Sequence, residues 1–345
     1  METITPVVLC GGSGTRLWPR SRATKPKPFL PLIGDQTLFA ATLGRCADPA
    51  RFAPPVVVTG KAHLAHVEHQ ARGVPGVQII VEPEAKNTAA AIALAALRLP
   101  KNAVMLVCPS DHHIADTDAF VKAAQKAAAL ARKGWLVTFG ITPDAPETGF
   151  GYIKRGEAIA YGGFRVERFV EKPDLATAQQ FLAEGGYSWN GGLFAFRAGD
   201  FLAELAAHRP ALLSAVRQAV EQGRADGARF HPDAAAFAEI ESESVDYAVM
   251  EPTARAAVVP VAMGWSDIGN WQALQAARGG DAAGNSVHGP AELVGCRHVM
   301  VETDGPRVSV IGLEGVIVVV DGDEVLVTSA DGVQQVGKLY GAANQ

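Results

Sequence analysis

The stretch VVLCGGSGTRLWPRSRATKPKPFLPL, Val7–Leu32, decides how this chain is read. An apolar, β-branched run ends at Cys10, glycines follow at Gly11, Gly12 and Gly14, and the loop beyond holds five basic residues and four prolines. Glycines placed directly after a strand leave backbone amides open to an anion. No Gly-Lys-Ser/Thr closes the loop, so it is not a Walker A motif. Leu17 stands where a dinucleotide fingerprint needs its third glycine. Arg16 offers a planar fork and Lys27 a point charge, a pair suited to a polyphosphate.

Outward from this loop, short apolar runs alternate with helical patterns. Strands are expected at Ile4–Leu9, Val56–Thr59, Val77–Glu82, Ala103–Cys108 and Trp135–Gly140. Helices are expected at Leu38–Cys46, His63–Arg72, Thr88–Leu99 and Ala119–Arg132. Runs apolar throughout and separated by helices imply an α/β fold with a mostly parallel sheet covered on both faces. Ligands of such sheets bind at the carboxyl ends of the strands. From Thr142 to Trp271 the pattern is mixed, with strands at Arg165–Glu171 and Gly192–Phe196 and helices near 201–205, 212–222 and 234–240. After Gly279–Asn285 the chain becomes Val-rich, with turn residues every eight to ten positions. That texture predicts a small β domain of short rungs or hairpins without a strict repeat.

Composition sets the outer bounds. The 345 residues are 48% apolar and 19% charged, with a formal net charge of −5, which argues against nucleic acid as a partner. Cys10, Cys46, Cys108 and Cys296 are scattered without CxxC spacing, as expected of free thiols in a reducing, cytoplasmic compartment. No stretch has the length of a membrane span or the form of a signal peptide.

Candidate chemistry falls just beyond the strands. Asp111 follows strand four and suits Mg²⁺; as a bare residue it could equally be a turn or cap. His112 and His113 lack further ligands for zinc. His63, His66 and His69 spread over about 120° of a helix, which suits a solvated face. Glu82 closes strand three, and Asn87 and Thr88 open an alanine-rich helix that one of them is expected to cap. Gly149 and Gly151 flank Phe150 in a turn. Glu171 and Lys172 precede Pro173, and a lysine there can reach a monophosphate. Asn190 precedes two glycines, and Asp246 and Asp267 lie in SVDYAVME and WSDIGNW. Asp111 and Asp267 together would hold a metal against a triphosphate better than either alone.

Taken in order, LCGGSGTRLWPRSRATKPKPFLPL, EPEAKNTAAAIALAA, PSDHHI, TGFGYI, FVEKPD, WNGGLFAF, SVDYAVME and WSDIGNW closely resemble the bacterial mannose-1-phosphate guanylyltransferases of the sugar-phosphate nucleotidyltransferase superfamily. The resemblance covers nearly the whole chain. It implies a Rossmann-like nucleotidyltransferase domain over 1–280, and a small β domain of the left-handed β-helix kind over 285–345. It implies the reaction of GTP with α-D-mannose 1-phosphate to give GDP-mannose and pyrophosphate, with Mg²⁺ as cofactor. The oligomeric state stays open: the Val-rich tail could pack on the catalytic domain or on a neighbouring copy, as in a homodimer. Gly11, Gly12, Gly14 and Thr15 would line the nucleotide, Arg16 and Lys27 the β- and γ-phosphates, and Glu82, Asn87 and Thr88 the guanosine. Asp111 and Asp267 would ligate the metal. Gly151, Glu171, Lys172, Asn190 and Asp246 would face the sugar phosphate.

The chain departs from the pattern at three positions. Arg20 replaces an apolar residue, Pro28 stands where PKQF is usual, and Pro252 stands where a lysine is usual. Longer members carry an isomerase domain; this chain stops short of one, so no isomerase activity is expected. The rival readings are the same chemistry on a heptose or glucose 1-phosphate, or with another nucleotide, and a non-catalytic regulatory subunit. The second predicts loss of Arg16, Lys27 or a metal carboxylate, all of which are present. A dinucleotide-dependent oxidoreductase lacks its third glycine.

Overall fold

The computed structural model describes residues 3–12 and 14–344. The chain forms two compact units. One comprises residues up to Gly11, Thr42–Ser110 and Ile114–Trp265; the other comprises Gly12–Ala41, Asp111–His113 and the chain from Ser266 on.

The first unit is built on one large sheet. β1 (Ile4–Cys10), β2 (Val56–Gly60), β3 (Gln78–Glu82) and β4 (Val104–Pro109) pair in parallel. Among the helices between them are α1 (Leu38–Arg45), whose first turn belongs to the second unit's segment, α2 (Leu64–Ala71) and α3 (Asn87–Arg98). After the short β5 (His113–Ile114) come α4 (Thr117–Ala131) and β6 (Leu136–Ile141). Then follow β7 (Tyr152–Ala158), β8 (Phe164–Val170), α5 (Leu175–Glu184), β9 (Tyr187–Arg197), α6 (Ala198–His208) and α7 (Pro210–Glu221). β10 (Arg224–Asp226), β11 (Arg229–His231), α8 (Ala234–Ala238) and β12 (Ala256–Val261) complete the unit. The strand order is β10-β11-β3-β2-β1-β4-β9-β6-β12-β8-β7.

This sheet is mixed, not mostly parallel. β9 lies antiparallel between β4 and β6, and β7 and β8 pair antiparallel. The reason is burial: β9 is covered along most of its length, so its run of apolar residues carries no mark of direction. Where β9 meets β6 the register shifts between Thr138 and Gly140, opposite Asn190. Such irregularities re-aim a side chain.

Local chemistry accounts for the helices. α3 is alanine-rich and buried from Ala89 to Ala96; alanine has the highest helix propensity and lets the helix lie close on the sheet. α4 is capped by Asp116, whose side chain accepts from the Ala119 amide at 2.8 Å. Neither Asn87 nor Thr88 caps α3 in that way, because Lys86 holds the cap position.

In the second unit, β13 (Trp265–Ser266), at the junction, leads to α9 (Trp271–Arg278). β14 (Ser286–His288), β16 (Met300–Thr303) and β18 (Val316–Asp321) then stack in parallel, as do β15 (Ala291–Val294) and β17 (Val308–Ile311). β19 (Glu324–Ser329) closes the larger stack antiparallel, and α10 (Tyr340–Ala343) follows. Val299, Val301 and Val310 fill the inside of these rungs. Met300, Ile317 and Val319 join Leu17, Trp18, Leu30 and Leu32 of the glycine-led loop in a second cluster centred on Trp271. The fully buried Trp271 indole donates to the Trp18 carbonyl at 2.9 Å. Trp271→Phe strands that carbonyl and leaves a cavity where the larger indole packed, so a loss of about 2 kcal/mol or more is expected. Denaturant unfolding of both proteins checks it, and an unchanged midpoint would overturn it.

Candidate active site

Each unit gathers polar residues that the sequence singled out. In the second unit, the loop after the glycines turns back on itself. Gly14 has φ +67°, and a β-carbon there would lie 2.5 Å from the Lys27 β-carbon. Only glycine permits both the turn and the approach. Lys27 is 5% exposed. Its ammonium bonds the Asp111 carboxylate at 2.8 Å and also donates to the Asp267 backbone carbonyl. Burial alone would raise the Asp111 carboxyl, but Lys27 and His112 outweigh it and hold the group below its ordinary range.

Asp267 is presented by a strained backbone. The next residue, Ile268, is fully buried and has φ +44°, a conformation that a β-branched side chain avoids. The Ile268 amide donates to Ser266 Oγ, and the Gly269 amide to Asp267 Oδ1. A β-carbon on Gly269 would meet Asp267 Oδ2 at 2.6 Å and Arg16 Nη2 at 3.3 Å. Arg16, Lys27, Asp111 and Asp267 therefore converge. Arg16 also donates to Gln334 at 3.3 Å, a residue that no motif in the chain singles out. Thr15 opens the short turn Thr15–Leu17 that carries Arg16. A β-carbon on Gly12 would meet no described atom within 4 Å, and Gly12 has φ +80°.

The first unit holds two further groups. Gly11 ends the unit's first segment just beyond β1, and a β-carbon there would meet no described atom within 4 Å. Glu82 closes β3; its Oε1 is buried and finds no hydrogen-bond partner among the described residues. Burial raises this carboxyl to about 7. Asn87 has φ +66° and its Oδ1 accepts from the Thr88 amide at 2.8 Å. Thr88 Oγ1 accepts from the Val245 amide at 2.9 Å, so its hydroxyl also fastens the chain next to Asp246.

The second group surrounds Asn190. Its side-chain oxygen accepts from the buried Thr138 hydroxyl at 2.9 Å, and its amide donates to Asp246 Oδ1 at 2.7 Å. Its backbone amide donates to the Gly151 carbonyl at 2.7 Å. A β-carbon on Gly151 would strike the Glu171 carboxylate, whose Oε2 is buried and unpartnered among the described residues. Lys172, with φ +47°, lies 3.2 Å from Glu171 Oε1 and points its exposed end outward. Asp246 opens a π-helical turn, Asp246–Met250. Burial first, then repulsion from Glu171, raises it to about 6. Thr138 escaped the sequence reading, although a lone hydroxyl within the apolar run LVTFGI was a usable signal.

The mixed α/β sheet, the glycine-led turn after its first strand and the buried Lys27 on the loop beyond are features of a nucleotidyltransferase-like enzyme. The profile of the nucleotidyl transferase family matches residues 5–283, and the chain belongs to that family. It is 48% identical to the xanthan biosynthesis protein XanB of Xanthomonas campestris over 342 residues, 97% of this chain and 72% of that protein. It is 44% identical to the mannose-1-phosphate guanylyltransferase of Escherichia coli, again over 97% of this chain and 72% of that one. The crystal structure of a Thermus thermophilus protein described as a mannose-1-phosphate geranyltransferase superposes with a TM-score of 0.86 at 34% identity, covering 98% of both chains.

Glu82 yields a test of the geometry by pH. An unfolded glutamate titrates near ~4.3, whereas Glu82 in the fold titrates at about 7. Between these values the native state holds more protons, so stability falls as pH rises, and the penalty is complete above the upper value. Glu82→Gln is therefore expected to be more stable than the wild type at pH 8, with the gap closing towards pH 4. Unfolding curves at both values check this; a gap of the opposite sign would contradict it.

Proposed function

We propose that this protein transfers GMP from GTP to α-D-mannose 1-phosphate, forming GDP-mannose and releasing pyrophosphate. The observation that carries the reading is Lys27, buried on the glycine-led loop and held by the Asp111 carboxylate and the Asp267 carbonyl. A cation fixed there answers the charge that develops on a leaving pyrophosphate. Relatives named for guanylyl transfer to mannose 1-phosphate support the choice of substrates.

A sugar-phosphate oxygen attacks the α-phosphorus of GTP. The new O–P bond forms as the bond to the β-phosphate oxygen breaks, and pyrophosphate carries away the electron pair. The nucleophile is already an anion, so no protein base is required. The protein's work is to hold two mutually repelling anions in line and to neutralise the leaving group. In this reading Arg16 and Lys27 hold the departing phosphates. Gly11, Gly12, Gly14 and Thr15 line the nucleotide, with Asn87 and Thr88 at the guanosine. Glu82 accepts from guanine, whose N1–H and N2–H₂ offer two adjacent donors to a carboxylate. Lys172 meets the sugar phosphate, while Gly151, Glu171, Asn190 and Asp246 face the sugar hydroxyls.

Mg²⁺ fits the donor set. Asp111 and Asp267 supply hard carboxylate oxygens, and Lys27 already satisfies part of the Asp111 charge. Among the described residues no cluster of three acidic, His or Cys side chains is placed to hold a metal. Mg²⁺ would therefore take its remaining ligands from phosphate and water, as it commonly does. When bound, it supplies charge neutralisation at the triphosphate.

The proposed division is a catalytic domain over 1–280, supported by the family match ending at residue 283, and a small domain over 285–345. The parallel stacking of β14, β16 and β18 supports a β-helix for that domain, and left-handed is the hand proposed. Exposed Ile311, Val325 and Val327 give it apolar surface to bury in a homodimer. Among the described residues no helix is long and apolar enough to cross a membrane, and the proposed location is the cytoplasm.

The test is pyrophosphate release from each nucleoside triphosphate against a panel of sugar 1-phosphates with Mg²⁺. GTP with mannose 1-phosphate is expected to give the highest kcat/KM, and no release from that pair would refute the proposal. Arg16→Ala and Asp111→Ala are each expected to lower turnover by roughly a hundredfold or more; near-normal turnover would remove their assigned roles.

A further inference from the structure

Arg20 departs from the pattern the sequence otherwise follows, and the fold gives it partners. Its Nη1 donates to Asp321 Oδ1 at 2.8 Å and its Nε lies 3.3 Å from Glu302 Oε1. Arg22 bonds the Asp321 carboxylate at 2.8 Å and the Asp321 carbonyl at 2.9 Å. The other oxygen of Glu302 accepts from Arg278, whose Nε donates to the Leu32 carbonyl at 2.7 Å. The Glu302 side chain is 2% exposed, and those of Arg20 and Arg278 are 14% and 13%. One buried carboxylate on β16 thus forms an ion pair with Arg20 at one end of the segment Arg20–Leu32 and binds Arg278, which grips the other end. Lys27 lies within that segment.

We propose that Glu302 is a positioning residue for the transfer reaction: through Arg20 and Arg278 it clamps the loop so that Lys27 meets the leaving pyrophosphate. The Val-rich rungs then act as the rigid base of the phosphate grip. A carboxylate buried between guanidinium groups cannot be neutralised without leaving uncompensated cations, so the loop is held in one register. A misplacement of about 1 Å in a group that acts on the reacting atoms can cost roughly a hundredfold in rate.

The proposal rests on the nucleotidyltransferase reading, and the experiment separates the two. Steady-state kinetics of pyrophosphate release would compare the wild type with Glu302→Gln, which keeps the shape and removes the charge, and with Arg20→Lys, which keeps the charge and gives up the fork. Wild-type release from GTP and mannose 1-phosphate establishes the underlying activity; its absence overturns that reading and the clamp with it. Given that activity, Glu302→Gln is expected to lower kcat by roughly tenfold or more, with KM for mannose 1-phosphate unchanged. Arg20→Lys is expected to show a smaller loss in the same direction. Should Glu302→Gln fail to fold, Arg20→Lys carries the test alone. Wild-type kcat in either folded variant overturns the clamp. So does a fall in kcat matched by a rise in both KM values, which marks general loosening.

Discussion

One buried ammonium organises the loop on which the proposed chemistry depends. Lys27 spans the Asp111 carboxylate and the Asp267 carbonyl, so removing it would leave a carboxylate facing a carbonyl dipole. Its burial requires Gly14 on one side, where a β-carbon would clash. On the other side stands the strained Ile268 turn that presents Asp267. Strain of this kind persists only where surrounding structure over-determines it. Here Trp271, Leu274 and Met300 enclose Ile268 in one apolar cluster.

The first unit follows a complementary logic. Glu82 and Glu171 bury carboxylate oxygens that find no partner among the described residues. Buried polar groups are ordinarily bonded, and exceptions call for an explanation. In the proposed function, the acceptors left open at the ends of β3 and β8 await ligand donors: the amino and imino groups of a base at one, sugar hydroxyls at the other. Ligand donors would remove the burial penalty that raises Glu82 and Asp246. The proposed binding and the stability of the fold are thereby linked through the same carboxylates.

The legible part of the sequence was the part written in periodicity. The strands expected at Ile4–Leu9 and Val56–Thr59 appear as Ile4–Cys10 and Val56–Gly60, and the alanine-rich helix begins at Asn87. Strand direction was not legible, because β9 is apolar on both faces and its antiparallel placement is set by connections, not by residues. Capping of α3 was misread: Thr88 spends its hydroxyl on Val245, a partner 157 positions away. The convergence of Arg16, Lys27, Asp111 and Asp267 could be anticipated from their order along a familiar pattern. Gln334 and Glu302 could not be assigned, since a glutamine in a polar tail carries no signal. A lone glutamate in the run HVMVETD was a signal without an interpretation until its arginines were located.

The central claim is that Lys27 serves the pyrophosphate part of the substrate and not the nucleoside or the sugar. Calorimetric titration of pyrophosphate with Mg²⁺ into wild-type protein and Lys27→Met, alongside mannose 1-phosphate, tests it directly. The account predicts a pyrophosphate Kd raised roughly tenfold or more, with the sugar phosphate binding as before. Unchanged pyrophosphate affinity, or equal loss for both ligands, would contradict it.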